Sequence, residues 1–138
     1  MSISEVISPF LGRLVIAWFF LSEAWWRILD WEGTITLMHM KHIANAEPLL
    51  ALLILFMALG GISILLGYHA RTGALILFAL TVVVSTLVHD YWKIANSVDR
   101  EADYQLFIRN IAIAGGLLFL VGMGPGPFAV DQPHKKKK

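Results

Sequence analysis

Three clusters of ionisable residues interrupt an otherwise apolar chain of 138 residues. Glu23, Arg27 and Asp30 follow one another at i, i+4 and i, i+3 spacing, which puts them on one face of a helix. His89 and Asp90 end the apolar run GALILFALTVVVSTLV, with Trp92 and Lys93 just behind, and Arg109 and Asn110 lead into a second run, IAIAGGLLFLVG. Charges next to such segments are costly in hydrocarbon, so they pair, line a wet cavity or snorkel to water. The set can therefore be an ion-pair network that fixes helix register, or a ligand or proton-handling site. Glu23 lies deepest and most needs a partner, with Arg27 the local candidate and Arg109 the one across the molecule. His89 can relay a proton or donate to a quinone carbonyl, tuned by Asp90 or Glu23.

The elements that must position these residues are membrane spans. The composition is 57% hydrophobic and only 15% charged, well below the roughly one-quarter charged residues of globular chains. Breakers divide the chain into four apolar segments, at about 9–29, 48–67, 73–92 and 107–124, each close to the roughly 20 residues that cross a bilayer core. Apolar residues run continuously and do not alternate, so no strand competes. The expectation is an all-α, up-and-down four-helix bundle in one domain, 1–131, with a basic tail, 132–138. Lys and Arg near the span ends place both termini in the cytoplasm. The WWRILDW stretch after SEA reads as an interfacial aromatic belt, so the first segment is expected to stay as a span and not be cleaved. Two small-residue stripes, Gly60/Ser63/Gly67 and Ala112/Gly116, are expected to pack against other helices.

Several function classes fall away. With no cysteine, disulfides, thiolate iron–sulfur ligation and covalent haem attachment are excluded. A net charge of +1 gives no reason to expect nucleic acid as a partner. His39-x-x-His42 with Glu47 is too sparse a ligand set for a metal, and His69 and His89 fall at opposite ends of the spans, which removes internal haem ligation.

The order of motifs resembles the DoxX family of small bacterial inner-membrane proteins. The residues that carry the resemblance are Gly12-Arg13, GGISILLGYHAR ending at Arg71, HDYW from His89 to Trp92, FIRNIAIAGG from Phe107, and GPG with Asp131 beyond it. The resemblance marks His89, Asp90, Trp92, Arg109 and Asn110 as motif positions, Arg109 standing where lysine is common, and puts Arg27 at a basic position ending the first helix. Met57 stands where members of that family often carry Glu, while Glu23 stands where they carry a small residue. The resemblance implies a multi-pass inner-membrane subunit of a redox assembly, with partner proteins and quinone as the candidate cofactor. The residues alone leave open a small transporter, a ligand-binding membrane protein or a scaffold subunit. The candidate site is Glu23, Arg27, His89, Asp90, Trp92, Arg109 and Asn110.

Overall fold

Ser2 and Glu5 start the first helix by capping each other. The Ser2 hydroxyl accepts from the Glu5 amide, and the Ser2 amide donates to Glu5 Oε2 at 2.8 Å. This capping box satisfies two of the amides that a helix start leaves free, so α1 (Ile3–Leu29) begins six residues before the expected boundary, with Pro9 inside it. The computed structural model describes residues 2–131; the basic tail 132–138 lies outside them.

At Asp30 the backbone leaves helical geometry (φ −107°, ψ 50°), and a second helix, α2 (Trp31–Met40), follows at once. The sequence reading has a loop here. The helix forms because Ile35 and Met38, three apart, bury one face against Ala46 and Leu50 of the next element. His42 and Asn45, both with positive φ, turn the chain into α3 (Ala46–Leu66). Pro48 falls in the first turn of α3, where a missing N–H costs nothing. At the other end Gly67 takes φ +68°, and the amides of Gly67 and Tyr68 cap Ile64 and Ser63. This is the tight turn into α4 (Ala70–Val88). A 3₁₀ turn (Tyr91–Lys93) and an Asn96 cap then lead into α5 (Ser97–Met123).

α1, α3, α4 with its following turn, and α5 are the four helices long and apolar enough to cross a membrane, and there is no strand among the described residues. α1 packs on α3, α3 on α4 and α4 on α5, whereas α1 and α5 meet only sparsely. The result is an up-and-down bundle with a looser seam between its first and last helices. Its core runs through Ala17, Phe20, Ala24, Met57, Ile64, Ala74, Leu77 and Leu117. The outward surface is apolar too, with Trp18 71% and Phe119 70% exposed, which is the surface lipid covers.

Lipid gives helices no hydrophobic reason to associate, so close approach has to supply the attraction. A methyl group added at Gly60 would lie 2.6 Å from Leu77 of α4, and one at Gly73 would lie 2.6 Å from Ser63. The first small-residue stripe is therefore the α3–α4 contact. The second does not pack as expected. Ala112 is exposed, and an added methyl at Gly116 would meet only Ile16, at 3.6 Å. α5 instead buries Asn110, Ala114, Leu117 and Leu120.

At one end of the bundle, residues Gly124–Asp131 fold back over the helix ends as a clasp. Arg13, only 2% exposed, donates from Nη1 to the Pro125 carbonyl at 2.9 Å and from Nη2 to that of Phe128 at 3.0 Å. The amides of Val130 and Asp131 bond the carbonyls of Leu66 and Gly67, and Asp131 Oδ2 accepts the His69 amide at 2.5 Å. The GPGP segment therefore ties α1 to the α3–α4 turn as well as ending α5. Both ends of the described chain lie on this side.

Candidate functional site

At the end of the bundle away from the clasp, a cavity is lined by side chains of all four long helices. α1 supplies Phe19, Phe20, Glu23 and Arg27, the last two one turn apart; α3 supplies Leu53 and Met57. α4 contributes Leu80, Thr81 and Val84, with His89 at its end, and α5 adds Arg109 and Asn110. The volume open to the centre of a water-sized molecule is about 40 Å³, where a single water needs roughly 10–15 Å³. The space therefore fits a few waters or one small polar group.

An ion pair and a histidine–carboxylate hydrogen bond line or border it. Arg27 Nη1 lies 2.5 Å from Glu23 Oε2 and also reaches the Glu23 carbonyl, at 3.3 Å, so Glu23 finds its partner on its own helix. His89 Nδ1 lies 2.9 Å from Asp103 Oδ1 on α5. An ionised carboxylate only accepts, so this bond fixes the proton on Nδ1 and leaves Nε2 as the free ring nitrogen. The second Asp103 oxygen and the Ser85 hydroxyl, one turn before His89, are buried without a partner. Thr81 is satisfied by the Leu77 carbonyl at 2.7 Å.

Arg109 differs from these. No carboxylate among the described residues lies within ion-pairing distance of it. Its Nε and Nη2 reach Asn110 Oδ1 only at 3.4 Å, and its guanidinium carbon lies 5.7 Å from the centre of the Phe19 ring on α1. Asn110 beside it is 8% exposed. Of the two candidate partners of Glu23, Arg27 one turn away takes the carboxylate and Arg109 does not.

Five of the seven residues expected in the cluster line this cavity: Glu23, Arg27, His89, Arg109 and Asn110. Asp90 turns away to Lys41 at the end of α2 and to Lys93, whose Nζ is 3.3 Å off, so it ties the outer connections together. Trp92 is 54% exposed and packs edge-on against Tyr91 and Phe107. The sequence reading missed Asp103 and Lys41. Asp103 shares a helix face with Phe107, Asn110 and Ala114, a register legible once Asn110 is taken as buried. Lys41 had no such signal, since α2 was not expected. His39 and His42 are exposed, and among the described residues no three potential metal ligands come together.

Comparison with known proteins places this architecture. The sequence model of the SURF4 family matches residues 33–138. The chain belongs to the SURF4 family. The inner membrane protein YqjF of Escherichia coli is 29% identical over 134 residues, 96% of each chain. The Surfeit locus protein 4 homologues of Schizosaccharomyces pombe and Drosophila melanogaster are 35% and 37% identical over 77 and 76 residues, 52% and 54% of this chain. Those matches span only about a quarter of the two longer proteins, 24% and 27%. No solved structure matches. With four apolar spans and this relative, the chain is a multi-pass protein of the inner membrane.

The SURF4 match overturns the resemblance to DoxX proteins. The residues that suggested it have structural duties here. Gly67 and Gly124 take positive φ at helix ends, Arg13 and Asp131 hold the clasp, and Asp90 bonds Lys41. Such duties belong to tightly connected four-helix bundles in general and do not separate one family from another. The redox-assembly role came with that resemblance and falls with it, and the matches give no support for quinone.

Proposed function

We propose that this SURF4-family chain is a ligand-binding membrane protein whose cavity takes one small anionic oxygen group, a carboxylate or a phosphate. The observation that carries this reading is Arg109. Glu23 is matched by Arg27 and Asp103 accepts from His89, whereas Arg109 faces the cavity with a long contact to Asn110 and the Phe19 ring beside it and no carboxylate partner among the described residues. A guanidinium offers planar, paired donors suited to carboxylate or phosphate, and in a membrane an unmatched cation is expensive unless a ligand or water completes it. Arg27 and Asn110 add donors from two sides, and the volume suits a head group better than a whole ring system. In the same reading residues 1–131 act as one unit and the cavity end faces outward.

Purified protein in neutral detergent tests it. Dodecyl phosphate should raise the melting temperature of the wild type, and the uncharged dodecanol should not. Arg109→Gln should weaken dodecyl phosphate by roughly 10- to 100-fold, the worth of a hydrogen bond to a charged group. Equal stabilisation by dodecanol, or an unchanged affinity in Arg109→Gln, would refute the reading.

A further inference from the structure

The seam between α1 and α5 has cavity-lining residues on both of its sides, Phe19 and Arg109, and is the sparsest contact between neighbouring long helices of the bundle. Arg109 lines the cavity and is itself exposed. Arg109, Ala112 and Gly116 follow at i, i+3 and i+7 and form the face that α5 turns to α1, since Arg109 lies over Phe19 and Gly116 lies nearest Ile16. Two of these three residues are the smallest available, and neither fills the gap. Elsewhere small residues bring helices together, as Gly60 does against Leu77. Here they leave the seam thin. Exposed apolar residues flank this seam, Trp18 on α1 and Ile108 on α5. Phe19 precedes the interfacial belt that starts at Trp25 by six residues, about 9 Å along the helix axis, on the hydrocarbon side of that belt.

We infer that the seam between α1 and α5 is a lateral portal, through which the anionic head of a membrane-dissolved amphiphile reaches Arg109 while its chain stays in the bilayer. This rests on the binding role proposed for the cavity and adds the route and the source of the ligand. The cavity's size agrees, because about 40 Å³ accommodates the head alone. The same anionic chemistry could come from a lipid or from a free water-soluble anion, and the route separates them.

The test uses the full chain in nanodiscs of uncharged lipid, with dodecyl phosphate supplied in the bilayer or methyl phosphate supplied in water. Ala112→Trp would roof the opening without replacing a cavity-lining residue, and Ile111→Trp, one position round the helix, serves as the control. Lateral entry predicts that dodecyl phosphate binds the wild type and the control at the same rate and binds Ala112→Trp roughly tenfold or more slowly, within the range over which association rates vary in a mutant series. Methyl phosphate should compete weakly, and its access should not depend on position 112. If Ala112→Trp does not fold, Ala112→Leu gives the same comparison with a smaller effect. Dodecyl phosphate binding that is lost in Arg109→Gln but proceeds at the same rate in every position-112 variant would overturn the portal and leave the cavity's binding role standing. Binding of neither phosphate to the wild type would overturn both.

Discussion

Arg27 stands between two demands, since it neutralises Glu23 and lines the same cavity as Arg109. The coordinates assign it to Glu23, and this fixes the expected couplings. In a double-mutant cycle on stability, Glu23→Gln and Arg27→Gln should be coupled by about 0.5–2 kcal/mol, as contacting residues usually are. Glu23→Gln and Arg109→Gln should be coupled more weakly than this, because they line one cavity but share no bond. Coupling of the second pair as strong as the first would mean that Arg109 is satisfied by protein, with nothing left for a ligand. His89 and Asp103 form the other unit. Asp103→Asn keeps the shape but removes the charge that holds the imidazole, so it should loosen His89, which a broadened imidazole resonance would report. Most of this cluster was legible in the sequence, because ionisable residues at the edges of apolar runs are few and each has to be accounted for. What could not be read was the pairing. Spacing alone offered Glu23 both Arg27 and Arg109, and only the depth and direction of α1 and α5 decide between them.

Among the elements, the four long helices followed from length and hydropathy, since a bilayer imposes a single secondary structure on a span. Their limits did not. Pro9 suggested a start that the Ser2–Glu5 capping box moves back to Ile3, and α2 was hidden because its buried face is only two residues, Ile35 and Met38. Small residues mark either a contact or a gap, and composition cannot tell which: Gly60 is the first, Ala112 and Gly116 the second. Gly60→Leu would drive a side chain into Leu77 and should cost about 1–3 kcal/mol, the usual penalty for overpacking. Gly115 has nothing within 4 Å of an added methyl, so Gly115→Leu should leave thermal stability in detergent unchanged or slightly raised. The same loss from both substitutions would show that close packing at Gly60 does not set the effect.

For the molecule as a whole, the two ends of the bundle are closed in different ways. One end carries the paired charges and the cavity. At the other, a guanidinium of the first helix grips carbonyls beyond the last. A single cysteine at Ser97 and one at Ser2, in a chain with none of its own, should label from opposite faces of the membrane; labelling from the same face would mean that α5 does not return to the side where α1 begins. Arg13 stands in the sequence as one of the residues that carry a family resemblance, and its near-complete burial against two carbonyls gives it a structural task. Arg13→Lys should destabilise almost as much as Arg13→Ala, since one ammonium cannot span the Pro125 and Phe128 carbonyls as a guanidinium fork does. Full recovery by lysine, measured by thermal unfolding, would reduce the clasp to a charge effect.

The same contact fixes an order of events during synthesis. Arg13 and its acceptors are 112 and 115 residues apart in the chain, and at the pace of translation the second partner follows the first by on the order of 5–20 s. Through that interval the first span is already in the bilayer while its arginine has no carbonyl to hold, so the side chain reaches for water and lipid phosphates at the surface. The Arg13 contacts with Pro125 and Phe128 therefore close only after the last span has been made, and a chain that stalls after the third span is expected to lack the clasp.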